Sequence, residues 1–156
     1  GKVPVLVLDD GTTLIDSPLI AGYLDALGTG RKLIPADPEA RMRVRQWEAV
    51  ADGVLDAAVL MRMENQRPER ERSAAWMEHQ RAKIERGLEW MDRRLAARPW
   101  CEGDEYSLAD IAAGCALAYL EFRFPEGAWA DRFGALATLR AKLQQRPSFA
   151  ATPLRA

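Results

Sequence analysis

Two hydrophobic rhythms divide this chain, one without alternation and one with helical spacing. The run Val3-Pro4-Val5-Leu6-Val7-Leu8 is apolar and rich in β-branched side chains, which predicts a strand covered on both faces. Asp9-Asp10-Gly11 is a hairpin signal, because glycine accepts the positive φ of a tight turn. Thr12-Thr13-Leu14-Ile15 predicts the returning strand. Helical spacing then begins. Asp16-Ser17-Pro18 supplies capping side chains and a proline at the first helical position, where no N–H is missed. Ile20, Tyr23, Leu24 and Leu27 mark one helix face, and Gly28 ends it.

Gly28, Gly30, Pro35 and Pro38 punctuate the next stretch, so residues 29–38 are expected to link a first unit, 1–28, to a second, 39–156. Beyond Pro38 the pattern is helical throughout. Trp47, Val50, Ala51, Val54, Leu55 and Ala58 form a clean stripe on a long helix expected to end near Arg67-Pro68. A second long helix is expected from about Glu69 to Ala97, with Ile84, Leu88, Met91 and Leu95 on one face. Ser107-Leu108-Ala109-Asp110 opens a third as a capping box with Asp in place of Glu, and Tyr106 and Ile111 are spaced for a hydrophobic staple. That helix carries small apolar residues, including Cys115, and is expected at the centre of the bundle. Leu136, Leu139 and Leu143 predict another helix from Gly134 to Gln145, and Arg146-Pro147-Ser148-Phe149 a short final turn.

Composition narrows the function. The 156 residues are 48% hydrophobic and 29% charged with a net charge of -1, a globular balance without the basic field that draws nucleic acid or a membrane surface. No apolar run is long enough for a transmembrane helix. Two cysteines, Cys101 and Cys115, suit a reducing, cytoplasmic compartment better than a disulfide scaffold. His79 is the sole histidine, so no His-based metal site or triad is expected, and no metal is assigned. His79 between Glu78 and Gln80 reads as surface, and Cys115 as core packing. Two strands and one helix make a marginal sheet, so a preceding β-α-β unit of roughly 30 residues is expected to complete it.

In this order and spacing, Lys2-Val3-Pro4, Asp9-Asp10-Gly11, Asp16-Ser17 and the Ser107–Asp110 helix start resemble the glutathione-transferase family, in its bacterial cytosolic branch. The likeness implies an α+β chain: a partial thioredoxin-like domain of two strands and a helix, followed by the all-α C-terminal helical bundle. It implies a cis bond at Val3-Pro4, with the Val3 backbone pairing with the cysteinyl backbone of glutathione like an added strand. Read without the likeness, Pro4 is an ordinary proline at a strand start. It implies that Ser17 and its helix N-terminus receive the γ-glutamyl carboxylate while Asp16 holds the ammonium; both also serve as caps. Lys2 would lie near the glycyl carboxylate. Asp56, ending Asp52-Gly53-Val54-Leu55-Asp56, either reaches across a dimer to the glutathione amine or is a solvated helix carboxylate. The electrophile pocket would involve Leu60, Met61 and Glu64.

The implied function is a glutathione S-transferase in which the glutathione thiolate attacks a small electrophile or a disulfide. Glutathione is co-substrate, no other cofactor is implied, and the assembly is a homodimer. The catalytic Ser, Tyr or Cys of the family belongs to its first strand, which has no counterpart here, so no catalytic residue is assigned. The alternative is a non-catalytic binding or dimerisation module of the same family.

Overall fold

A computed structural model describes residues 1–96 and 98–154. Strands β1 (Val5–Val7) and β2 (Thr13–Ile15) pair antiparallel, with Val5 opposite Ile15, Leu6 opposite Leu14 and Val7 opposite Thr13. The turn closes as the sequence demands. Gly11 sits at φ 83°, and the Leu8 N–H donates to Thr12 O at 2.9 Å. Helix α1 (Ser17–Leu27) follows. Its C-terminal carbonyls are capped by Lys32, whose Nζ donates to Asp25 O at 2.7 Å and Ala26 O at 3.0 Å.

The remainder is a bundle. Long helices α2 (Pro38–Asn65) and α3 (Ala74–Leu95) pack against each other, and α2 also packs along α4 (Leu108–Arg123). Short α5 (Trp129–Arg132), then α6 (Gly134–Gln144) and α7 (Pro147–Ala151), close the far side. The core runs through Trp47, Val54, Leu88, Met91, Leu117, Leu136 and Leu143, each fully or almost fully buried.

Side-chain caps decide where the helices begin. Pro38 is the first residue of α2 rather than the last of the linker, because the Asp37 carboxylate accepts the Ala40 N–H at 2.8 Å. α3 starts at Ala74 and not at Glu69. Ser73 Oγ accepts the Trp76 N–H at 3.2 Å, and Glu69–Glu71 forms only a 3-10 turn. Ala97, the expected end of that helix, and the terminal Arg155 and Ala156 lie outside the described residues. At α4, Asp110 is fully buried and accepts the Ser107 N–H and the Cys101 N–H, both at 2.8 Å, so the expected capping box also anchors the preceding loop.

Two expectations fail on burial. β1 is not covered on both faces: Val5 is 51% and Val7 64% exposed, in a sheet that among the described residues has two strands, β1 and β2. Cys115 is not core packing. It lies on the exposed side of α4, while Cys101, in the loop, is the fully buried thiol. His79 is at the surface as expected, stacked on Trp76.

Candidate functional site

The hairpin and the start of α1 bring Lys2, Val3, Pro4, Asp16 and Ser17 to one place. The Val3–Pro4 peptide is cis. Pro4 O accepts the Asp16 N–H at 3.1 Å, which fastens the entry to β1 against the entry to α1. Val3 is 81% exposed, and among the described residues nothing in the protein bonds its N–H or C=O. An extended segment with an open N–H and C=O is half of a β-ladder.

Asp16 holds φ 74° and ψ 142°, a region that costs an L-residue of order 1–3 kcal/mol and is occupied mainly at functional sites. The conformation aims its carboxylate two ways. Oδ1 accepts the Ser17 N–H at 2.9 Å, and Oδ2 meets Lys2 Nζ at 3.1 Å. The Lys2 bond, with the Ser17 N–H assisting, holds Asp16 below the usual carboxylate range, and Asp16 in turn raises Lys2. Ser17 begins α1, so its hydroxyl stands at the positive end of an 11-residue helix dipole.

Helix α2 supplies the opposite wall. Arg45 pins it there, donating to Glu48 Oε2 at 2.6 Å and to Pro18 O at 3.3 Å. Asp56 is exposed and close enough to Lys2 for its charge to act on the ammonium, within the same chain. Asp52, which the sequence reading passed over, is the more perturbed acid. Burial pushes it up to about 6, with the charges of Glu48, Asp56 and Asp16 adding to the rise and Lys2 opposing it. The spacing of Glu48, Asp52 and Asp56, four residues apart, was the available signal, since it places all three on one helix face.

The expected electrophile pocket needs correction. Met61 is a core side chain, 6% exposed. Glu64 is structural: its carboxylate accepts the Ser73 N–H at 2.7 Å and pairs with Arg67 at 3.2 Å, joining the end of α2 to the start of α3. Leu60 is half-buried. Val59 and Met63, seven and eleven residues after Asp52, share its face and are 39% and 59% exposed. On α4, Cys115 is exposed to solvent yet flanked densely enough for desolvation to raise its thiol; Arg140 lowers it and Asp52 raises it further. Burial, together with Asp110, pushes the Cys101 thiol far above its ordinary value and leaves it inert.

Comparison with known proteins agrees with this arrangement. A model of the glutathione S-transferase C-terminal domain matches residues 74–142. The uncharacterised GST-like protein YibF of Escherichia coli is 38% identical over 152 residues, covering 97% of this chain and 75% of that protein. A glutathione S-transferase from Methylobacillus flagellatus, solved with glutathione bound, superposes with a TM-score of 0.95 at 47% identity, over 98% of this chain and 76% of that one. A second, from Methylobacterium radiotolerans in complex with glutathione sulfonate, gives 0.93 at 42% identity, over 99% and 74%. The chain thus spans about three quarters of these relatives' length, with the partial thioredoxin-like domain and the helical C-terminal domain of their fold. By sequence identity and by superposition, the chain belongs to the glutathione S-transferase family.

Proposed function

We propose that this protein is a glutathione transferase whose residues 1–28 carry the glutathione-binding half-site and whose chain from Pro38 onward forms the helical half, joined by the linker at 29–37. One observation carries the reading. An unpaired Val3 backbone, a strained Asp16 and the α1 N-terminus at Ser17 converge on one exposed corner. Glutathione presents the complementary groups. Its cysteinyl N–H and C=O pair with Val3 beside the cis Pro4. Its γ-glutamyl carboxylate takes the Ser17 hydroxyl and the helix N-terminus. Its ammonium takes Asp16, with Asp56 or Asp52 of α2 adding negative charge. Lys2 leaves Asp16 for the glycyl carboxylate, so one ion pair becomes two.

With the peptide so held, its thiolate attacks a small hydrophobic electrophile, forming a carbon–sulfur bond as the leaving group departs, or attacks a disulfide and releases a thiol. The acceptor lies against Val59 and Met63, beside Cys115. Related structures solved with glutathione or a glutathione adduct bound support the ligand. The assembly is a homodimer in the cytoplasm, with no cofactor beyond glutathione.

Calorimetric titration with glutathione tests the site. A charge-assisted hydrogen bond contributes about 1.5–3 kcal/mol, so Asp16→Ala is expected to weaken binding at least ~10-fold. Equal affinity in wild type and variant would remove the assignment.

A further inference from the structure

Helix α4 carries its exposed thiol and one side of an open cavity on the same face. Cys115, Ala118 and Phe122 recur at three and seven residues, so they lie in one row, with Ala118 about 5 Å along the helix from Cys115. Ala118 and Phe122 line a cavity of about 390 Å³ that is completed by Arg140 of α6, Phe149 of α7 and the segment 152–154. A missing side chain sets its shape. A Cβ at Gly114 would lie 2.6 Å from Leu143 and 2.7 Å from Phe149, so glycine lets α6 and α7 rest directly on α4. The Cys115 thiol feels the charge of both Asp52 on α2 and Arg140 on α6. The cavity therefore continues the acceptor cleft from Cys115 toward the C-terminal segment.

Arg140 defines what fits. Its side chain is 14% exposed, and its Nε donates to Glu121 Oε2 at 2.9 Å, which fixes the guanidinium in place. Among the described residues its two terminal nitrogens bond to nothing in the protein, and neither is sealed from solvent. Arginine offers a planar fork that can hold a carboxylate through two parallel bonds. The surrounding charge agrees. Arg123 lies over the Phe122 ring, 4.2 Å from its centroid, and its Nε is buried without a partner. Around that ring two guanidiniums stand against one carboxylate, Glu121, leaving one positive charge in excess.

Resting on the transferase reading, we propose that Arg140 is a specificity residue that selects electrophiles carrying a carboxylate. The electrophilic carbon meets the glutathione sulfur beside Cys115, the body of the acceptor lies along Ala118 and Phe122, and the carboxylate takes the terminal nitrogens of Arg140. For an aryl chloride of this class, the thiolate forms the carbon–sulfur bond and chloride leaves with the bonding pair.

The test reads binding, so it does not depend on turnover. The full chain is titrated calorimetrically at neutral pH with S-(carboxy-dinitrophenyl)glutathione, its aryl carboxylate para to sulfur, and with the methyl ester of that carboxylate. The acid is expected to bind at least ~10-fold tighter than the ester. Arg140→Gln is expected to bring the two to within about twofold of each other. Arg140→Lys keeps the charge but loses the fork, and is expected to give an intermediate ratio. Circular dichroism checks that both variants fold. Equal affinity for acid and ester on wild type overturns the proposal, as does a preference that survives Arg140→Gln. If Arg140→Gln does not fold, an undiminished ratio in Arg140→Lys overturns it. A parallel titration with glutathione separates the two readings. If glutathione and both conjugates fail to bind, the transferase reading falls and this proposal with it; if all three bind and the acid has no advantage, only the role of Arg140 falls.

Discussion

From Pro38 onward the chain buries a continuous apolar core, whereas among the described residues of β1, β2 and α1 none is buried. The helical region is held by side chains that interlock across helices: Trp47 donates to Glu102 at 3.0 Å and meets Trp90 edge-on, and Asp92 accepts the Ala135 and Leu136 N–H groups to start α6 from α3. The hairpin and α1 are held by backbone pairing and a few polar ties, such as Arg45 to Pro18. Every residue assigned to glutathione except Asp52 and Asp56 of α2 lies in this second, less buried region. Stability and recognition are therefore separable, and substitutions in the two regions should show it.

The largest effect is expected at Asp110. Its carboxylate is fully buried and takes the N–H groups of Cys101 and Ser107. Asp110→Ala strands two buried donors, at about 1–3 kcal/mol each. A loss of about 3 kcal/mol in urea unfolding is expected. Asp16→Ala, at a carboxylate with solvent on one side, is expected to move the same curve little while weakening glutathione. If the two variants unfold alike, the regions are not separable as described.

Next is Gly87 on α3. A Cβ there would lie 2.4 Å from Val54 Cγ2, so α2 and α3 touch through the missing side chain. Gly87→Ala gains up to about 1 kcal/mol of helix propensity but forces a packed core side chain, at a cost of typically 1–3 kcal/mol. A net loss of about 1 kcal/mol is expected in a thermal melt. An unchanged melting temperature would mean that the two helices slide apart freely.

The same division marks what could be read from the sequence. Caps and turns were legible because they are local: Asp16 before α1, Gly11 in the hairpin, and Ser107 with Asp110 at α4 all stand where their side chains demand. Helix phase was not. Met61 and Met63 differ by two positions, yet one is core and the other is exposed, and apolarity alone does not distinguish them. Cys115 failed for the same reason, since an apolar helix does not declare which side meets solvent. Asp52 was hidden because its rise comes first from burial, which only the fold creates, with the charges of Glu48, Asp56 and Asp16 adding to it and Lys2 opposing it. Glu64 looked like a pocket residue because its partner, the Ser73 N–H, is a backbone group that no sequence pattern reveals.

Asp52 sits at the boundary of the two regions and titrates there. Its folded value of about 6 lies above the ordinary carboxyl range. Between about pH 4 and pH 6 the folded chain therefore keeps a proton that the unfolded chain has lost, and stability falls as pH rises through that window. Asp52→Asn removes the titration. After allowance for solvent screening of a half-exposed group, a gain of about 1 kcal/mol at pH 7 is expected, vanishing near pH 4. Urea unfolding at both pH values measures it, and an equal gain at both would assign the effect to packing instead.

The smallest effect is expected at Gly22, in the middle of α1, and it is the sharpest probe of the comparison because it repeats the Gly87 substitution in the other region. A Cβ at Gly22 would lie 2.8 Å from an Arg45 guanidinium nitrogen, the far end of a flexible side chain, and not from a packed methyl. Arg45 can swing aside, at the cost of its bond to Pro18 O. The helix-propensity gain of up to about 1 kcal/mol offsets a hydrogen bond that contributes about 1 kcal/mol. Gly22→Ala is thus expected to leave stability within about 0.5 kcal/mol of wild type while loosening α1 from α2. Glutathione affinity measured on the same variant should fall a few-fold, because the wall formed by Asp52 and Asp56 is no longer pinned against Ser17. A stability loss as large as that at Gly87 would show that α1 is packed as tightly as the bundle.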